Sequence, residues 1–307
     1  MSQAEALHAQ DINARIEKAY EQSMTNARKR NLSGGILRWL VRLGAALTIA
    51  ILLFILGFIL INGIPYLTPS LFAWEYTSEN VSLMPALINT LLMTALSLLF
   101  AAPIGVGAAI YLSEYARKTN KFVYLVRTTT EVLSGIPSII YGLFGLLFFV
   151  TALHWGMSLL AGAATLAIMV LPIIMRTTEE ALRAVPSSYR EGSFSLGAGR
   201  LTTIFKIVLP NAAPGILGGI ILSIGRVVGE VAALIYTAGT IAAIPEFSTQ
   251  AFGAVFDSTR TLAVHMYVLA SEGLHIHETY ATAVVLLIVV AGINFLSTRI
   301  ANKMKRG

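Results

Sequence analysis

The chain has 307 residues, of which 56% are hydrophobic and 12% charged, and its mean hydropathy is +0.73. Soluble domains carry roughly twice that share of charged residues, so this composition excludes a soluble globular protein. The absence of cysteine excludes disulfides and thiolate metal sites. The net charge of +6 is not taken as a sign of nucleic acid, because in a membrane protein the position of the bases matters more than their sum.

Residues 1–35 are polar, and we expect them to form a cytoplasmic tail that folds as an amphipathic helix ending near Gly34 and Gly35. No cleavable signal peptide is expected, because the apolar run that follows is long enough to span a membrane. The basic triplet 28–30 would let the tail lie on anionic membrane lipid. The alternative is a solvated tail whose charges only set the topology.

Residues 36–307 contain six apolar runs, and a membrane-spanning helix needs about 20 apolar residues. The sequence therefore predicts an all-α, polytopic membrane domain with six transmembrane helices. The predicted spans are about 37–62, 86–112, 132–153, 158–175, 215–236 and 280–300.

The basic residues support this division of the chain. Of the 22 Lys and Arg residues, 20 fall in the two terminal segments and in the loops after the second and fourth spans. Bases are retained on the cytoplasmic side, so both termini are expected there. Only Arg226, inside a span, and Arg260, on the outer side, depart from this pattern. The outer loops carry six acids, which either interact with solvent or dock a partner protein: Glu75, Glu79, Glu246, Asp257, Glu272 and Glu278.

The cytoplasmic segment at about 176–214 is predicted to form an elbow of three short helices. Thr177 or Thr178 would cap a helix through Leu182, and Pro186 would end it. A capping box of Ser188 and Glu191 would start the second helix. Gly197 would end that helix in a left-handed turn. The third helix, over about 201–208, would end at Pro210. Four apolar residues are expected to be exposed here, as at a partner interface: Phe194, Leu196, Ile204 and Phe205.

The elbow also carries a spaced motif. Glu191-Gly192-Ser193 is followed after three residues by Gly197, and after nine more by Ile207-Val208-Leu209-Pro210. This pattern resembles the EAA loop of ABC importer permeases, with Gly and Ser in place of two alanines. The resemblance implies a coupling helix that docks in a groove of the ATPase subunit. The residues it assigns to coupling are Glu191, Gly192, Ser193, Gly197, Ile207, Leu209 and Pro210. The alternative is an amphipathic surface linker.

Four further blocks are similar to the phosphate-specific permeases of this superfamily, and the block 225–239 resembles the variant of the PstA-type transmembrane subunit. They are 102–116, 134–145, 171–186 and 225–239, and the likeness covers about 36–302. The resemblance implies a type I ABC importer permease fold in the bacterial cytoplasmic (inner) membrane. It also implies three protein partners: a second related permease chain, a cytoplasmic ATPase dimer that binds ATP and Mg, and an extracytoplasmic phosphate-binding protein. Helix packing accounts for the glycines of 134–145 as well as substrate contact does.

The charges inside the fifth span are the candidate substrate site. A charged side chain near the bilayer centre costs about 2.5–3.5 kcal/mol on insertion scales, so two on one span need a reason. Arg226 and Glu230 are four residues apart, which would place them on one face of a continuous helix. One reading is a structural salt bridge. The other is a substrate pathway, in which Arg226 holds phosphate through paired hydrogen bonds. Glu230 would then hold Arg226 in position or accept a hydrogen bond from a protonated oxygen of phosphate.

No phosphate-binding loop of the form G-x-x-x-x-G-K-[ST] occurs, so the chain is not expected to hydrolyse ATP, and no catalytic residues or cofactors are assigned to it. His265, His275 and His277 lie between the last two spans. No clustered carboxylate supports a metal site there, so solvated histidines are expected. The segment 240–279 is long enough to contain helices of its own.

The main expectation is therefore a non-catalytic permease subunit of an ATP-driven phosphate importer. One alternative keeps the class and changes the cargo to sulfate, molybdate or phosphonate. The other is a stand-alone secondary transporter, which would not need the elbow.

Overall fold

The computed structural model describes Lys18 and residues 37–116, 120–246 and 253–304. The predicted amphipathic tail lies outside the described residues, apart from Lys18. Within the described part the regular structure is helical, without strands. The chain divides into two compact units, Met1–Phe58 and Ile59–Gly307.

The first unit contains most of helix α1, residues 37–63. Its side chains are almost all exposed and apolar. Such a helix is suited to a lipid environment, because an apolar surface of this length has no favourable contact with water.

The described part of the second unit contains ten further α-helices. After short 3-10 turns at Ile64–Tyr66 and Pro69–Phe72 come α2 (Met84–Ile110), α3 (Lys121–Ser134), α4 (Ser138–Gly145), α5 (Leu159–Ala184) and α6 (Ser187–Ser195). The chain continues with α7 (Arg200–Thr203), α8 (Leu209–Val228), α9 (Ala232–Thr237), α10 (Leu262–Glu272) and α11 (Ile276–Met304). Three π-helical segments extend these elements: Tyr111–Tyr115 after α2, Leu146–Ala152 after α4, and Ile204–Val208 between α7 and α8.

Five of the resulting helical stretches are long and apolar enough to cross a membrane, or six if a bent pair counts as one span. The bent pair is α3 and the stretch Ser138–Ala152, which meet at 106°. Each predicted span overlaps one of these stretches. The all-α, polytopic architecture is therefore confirmed.

α5 forms the centre of the second unit. It packs along α2 and α8, and residues of α2, α5 and α9 form the main apolar core, with Met93, Leu166 and Leu234 among its fully buried members. Small residues bring the helices together. A methyl group on Gly142 would lie 2.8 Å from the Ala233 Cα, and one on Gly145 would lie 2.2 Å from the Thr165 Oγ1. These two glycines therefore serve packing, as small residues do between membrane helices.

The elbow differs from its predicted form in how its helices begin. Thr177 and Thr178 do not cap a separate helix, because α5 runs on to Ala184. Two ion pairs at i,i+4 spacing stabilise this continuation, Arg176–Glu180 at 3.1 Å and Arg183–Glu179 at 2.5 Å. The prediction of a capping box is also wrong. α6 begins directly after Pro186, so Ser188 lies inside the first turn and no side chain caps the helix.

Pro210 does not end a helix either. It lies near the start of α8, and the preceding π-helical segment Ile204–Val208 joins α7 to α8, so the helix continues through Pro210. Ile204 is buried, contrary to expectation, because it faces the interior from that segment. Phe194, Leu196 and Phe205 are exposed as predicted.

Candidate substrate pathway and coupling elbow

The predicted fifth span is a broken helix. α8 ends at Val228, Gly229 leaves the helix with φ −90° and ψ 1°, and α9 starts only at Ala232. Interrupted helices of this kind occur at membrane depth where the backbone is buried in protein or lines a cavity. The break lies inside the segment that carries both candidate charges.

Arg226 lies in the last turn of α8, and its side chain is exposed in the single chain. The neighbouring Gly225 has free space beside it, since a methyl group there would meet nothing within 4 Å. Arg226 thus presents its charge at the surface of the single chain, three residues before the break at Gly229.

Glu230 does not share a helical face with Arg226, because the break separates them. Among the described residues, the ion pairs do not include an Arg226–Glu230 bridge. The Glu230 side chain is turned inward, where its Oε1 accepts a hydrogen bond from the Ala233 N–H at 3.2 Å. This bond satisfies a free N–H in the first turn of α9. In this conformation Glu230 stabilises the break and does not hold Arg226 in place.

The residues of the spaced motif occupy α6 and the approach to α8. Glu191 and Gly192 are exposed on α6, whereas Ser193 is buried and its hydroxyl lies 2.8 Å from that of Thr203. This contact explains a small residue at the third motif position. Gly197 has φ +79°, so the predicted left-handed turn is present.

The second half of the motif anchors the elbow to the membrane helices. Ile207 and Leu209 are partly buried and Pro210 is exposed. Leu209 packs on a small apolar cluster that includes Leu182 and Val208. The exposed apolar residues Phe194, Leu196, Leu201 and Phe205 lie on the elbow, around this anchored part. The elbow therefore combines a fixed base with an apolar outer surface.

The segment between the last two spans contains buried polar residues that the sequence did not identify. Helix α10 confirms that this segment folds, but its His265 is fully buried and not solvated. Arg260, expected to be a lone outer base, is also buried and lies over the Tyr76 ring at 4.8 Å. The Tyr76 ring also meets His265 edge to face. The local sequence does not predict that Arg260 and His265 are buried, because the Tyr76 ring that both of them contact is distant in the sequence.

The other two histidines lie at the surface. His277 stacks on Tyr66 with ring centroids 4.1 Å apart, and the Nδ1 of His275 is 3.8 Å from the Glu278 carboxylate. Among the described residues, His, Asp and Glu side chains do not form a group of three or more that could hold a metal ion.

The described part of the chain is a polytopic helical bundle with an interrupted span and a short helix–turn–helix elbow, an arrangement typical of membrane permeases. Residues 101–306 match the family described as binding-protein-dependent transport system inner membrane component. The chain belongs to this family of ABC importer permeases, and the predicted resemblance to its PstA-type members is confirmed.

Two relatives are similar over most of the chain. A probable ABC transporter permease protein, YqgI of Bacillus subtilis (strain 168), is 36% identical over 243 residues, covering 75% of this chain and 81% of the relative. The phosphate transport system permease protein PstA of Mycobacterium leprae (strain TN) is 34% identical over 224 residues, covering 70% and 71%.

A solved structure supports the fold. The MetNI methionine ABC transporter in an inward-facing conformation matches with a TM-score of 0.59 and 23% identity, covering 72% of this chain and 95% of that chain. The chain is thus a multi-pass permease subunit of an ABC importer with the type I fold. Permeases of this class work with an ATPase and an extracytoplasmic binding protein.

Proposed function

We propose that this subunit imports phosphate and that Arg226 is a transient contact for the anion. The observation that carries the proposal is the position of Arg226 at the end of α8, with an exposed side chain beside a break in the helix. A charge in such a place requires a polar partner, because an unpaired charge is costly away from water. The relatives named as phosphate transport permeases support phosphate as that partner.

The chemistry of arginine fits a tetrahedral oxyanion. Its planar guanidinium donates two parallel hydrogen bonds to two oxygens, which a lysine ammonium does not match. Phosphate near neutral pH keeps a proton, and the second carboxylate oxygen of Glu230 would accept a hydrogen bond from it while Oε1 stays bonded to the Ala233 N–H. Sulfate has no proton to offer. This difference favours phosphate over sulfate among the alternative cargoes.

The assembly follows from the same proposal. This chain would pair with a second, related permease chain as a heterodimer, with the pathway between them. Its elbow would dock on an ATPase dimer that binds ATP and Mg, and an extracytoplasmic phosphate-binding protein would deliver the anion. Both termini would be cytoplasmic. The exposed apolar residues of the elbow support this docking, because such a patch facing water marks a protein interface.

The decisive experiment reconstitutes the complete transporter in proteoliposomes and measures uptake of labelled phosphate. Arg226→Ala should reduce uptake at least tenfold, and Arg226→Lys should not restore it fully, because a point charge lacks the paired donors. Arg299→Ala is the matched control, since Arg299 lies near the end of α11 and its guanidinium lies over the Phe295 ring. Normal uptake by Arg226→Ala at a normal membrane level would refute the role of Arg226.

The cargo is tested separately. Phosphate, sulfate, molybdate and a phosphonate are each offered with the binding protein, and ATP hydrolysis is measured. Stimulation by phosphate alone is the expected result. If another anion stimulated ATP hydrolysis instead, the assigned cargo would change, but the assignment as an ABC importer permease would not.

A further inference from the structure

The elbow is bonded to the cytoplasmic end of α2 through one carboxylate. Glu114 lies in the π-helical segment Tyr111–Tyr115 that extends α2, and Arg190 lies in α6, directly before the spaced motif. The Arg190 Nη2 donates to the Glu114 Oε1 at 2.5 Å, and its Nε donates to Oε2 at 3.3 Å. Both side chains are largely buried. This is the paired geometry in which arginine binds a carboxylate most specifically.

The same guanidinium also holds the end of α5. Its Nη1 donates to the Val185 carbonyl and its Nη2 to the Leu182 carbonyl, both at 2.9 Å. The last carbonyls of a helix lack partners within it and carry the negative end of its dipole, so a cation stabilises them. Arg190 therefore joins three elements, α2, α5 and α6, at one point.

The other end of the elbow contacts the same turn. Arg200, the first residue of α7, donates to the backbone carbonyl of Glu114, and its guanidinium lies 4.8 Å from the centre of the Tyr115 ring. Residues 114 and 115 are thus held from both sides of the turn at Gly197. A displacement of the elbow must displace the end of α2 unless these contacts break.

The outer end of α2 is bonded as well. The side-chain amide of Asn89 donates to the Ala243 carbonyl at 2.8 Å, and the Thr90 hydroxyl accepts from the Leu262 N–H at 2.8 Å. Ala243 and Leu262 belong to the outer segment between the last two spans. One helix therefore connects the cytoplasmic elbow with the segment on the opposite side of the chain.

We propose that Glu114 and Arg190, supported by Arg200, are positioning residues that transmit movement of the elbow to α2 and through it to the outer segment. The inference rests on the proposed function, because it takes the elbow to be the part that the ATPase moves. An ion pair that only stabilised the fold would not need to lie directly beside the docking motif on α6. It would also not need the second contact that Arg200 makes from the other end of the elbow.

The test measures three quantities on the reconstituted transporter: ATPase subunit retained on purification, ATP hydrolysed, and phosphate imported per ATP. Glu114→Gln keeps the shape of the side chain and removes the charge. We expect this variant to retain the ATPase subunit and to hydrolyse ATP, while phosphate imported per ATP falls at least tenfold. Glu180→Gln is the matched control, because Glu180 is exposed and its ion pair with Arg176 lies within α5. The control should keep the wild-type ratio.

A second experiment replaces the ion pair with a covalent link. The chain has no cysteine, so Glu114→Cys with Arg190→Cys provides a unique thiol pair when the other subunits are also free of accessible cysteine. The unlinked pair should import at the low ratio of Glu114→Gln, and bridging the thiols with a short bismaleimide should restore most of it. Rescue by the bridge would show that transport requires a connection between the two elements. Any loss of stability caused by the substitutions themselves is already present in the unlinked cysteine pair.

Two results would overturn the proposal. One is that Glu114→Gln imports as much phosphate per ATP as the wild type, under conditions in which the wild-type transporter imports phosphate. The other is equal ratios for the linked and unlinked cysteine pairs. If the wild-type transporter fails to import phosphate but responds to another anion, the cargo assignment fails, and the link is then tested with that anion.

Discussion

Gly219 in α8 faces Thr177 in α5 so closely that a methyl group on the glycine would lie 1.8 Å from the Thr177 Oγ1 and 2.8 Å from its Cβ. The Thr177 hydroxyl donates to the Ile173 carbonyl at 2.8 Å, so turning it away would break a hydrogen bond. The contact fixes the separation of two central helices, and it depends on the absence of a side chain at one position.

We therefore expect Gly219→Ala to destabilise the chain by about 1–3 kcal/mol, as overpacking does in a close-packed interior. Gly218→Ala is the control on the neighbouring face, where a methyl group meets nothing within 4 Å. Its effect should be neutral or slightly stabilising, since alanine favours a helix more than glycine does. Thermal unfolding of the detergent-purified chain measures both, and equal melting temperatures for the two variants would contradict this account of the contact.

The spans were predictable because hydropathy is a property of single segments. An apolar run of about 20 residues needs no partner to identify it. The cytoplasmic placement of the bases stays a prediction. The left-handed turn at Gly197 was predictable for the same reason, since the signal is local.

The break at Gly229 was not predictable in this way. The four-residue spacing of Arg226 and Glu230 assumes a continuous helix. Gly225 and Gly229 beside them allow a bend, but close helix packing explains these glycines equally well, so the sequence does not decide between the two. Glu114 and Arg190 are separated by 76 residues, and each looks like an ordinary cytoplasmic charge. Tertiary packing decides such pairs, and a single sequence carries no pattern that joins them.

The break gives a prediction for Glu230, whose Oε1 accepts from the Ala233 N–H. Glu230→Gln keeps an acceptor oxygen for this bond and should keep the start of α9, whereas Glu230→Ala removes it at a cost of about 0.5–2 kcal/mol. If the bond is the main role of Glu230, Gln retains most phosphate uptake and Ala does not. Equal and complete loss in both variants, at normal membrane levels, would contradict a capping role and favour a role for the charge.

The buried His265 gives a prediction for pH. Burial, together with the nearby charge of Arg260, lowers the pKa of His265 to about 3 from an ordinary value of 6.5. The unfolded chain therefore binds a proton at a higher pH than the folded chain. The stability that neutral His265 allows is fully present above pH 6.5 and declines as the pH falls from 6.5 towards 3. At pH 5 the loss amounts to about 2 kcal/mol, at 1.36 kcal/mol per unit of pKa difference.

His265→Phe tests this origin of the pH dependence. Phenylalanine has no titrating group and keeps a ring to pack against the edge of Tyr76, so the variant should lose less stability between pH 7.5 and pH 5 than the wild type. His277→Phe is the matched control, because His277 is exposed and stacks on Tyr66, and it should keep the wild-type pH dependence. Melting temperatures of the purified chains across this range provide the measurement. A wild-type decline in His265→Phe would assign the acid sensitivity to other groups, because the buried imidazole would then contribute nothing to it.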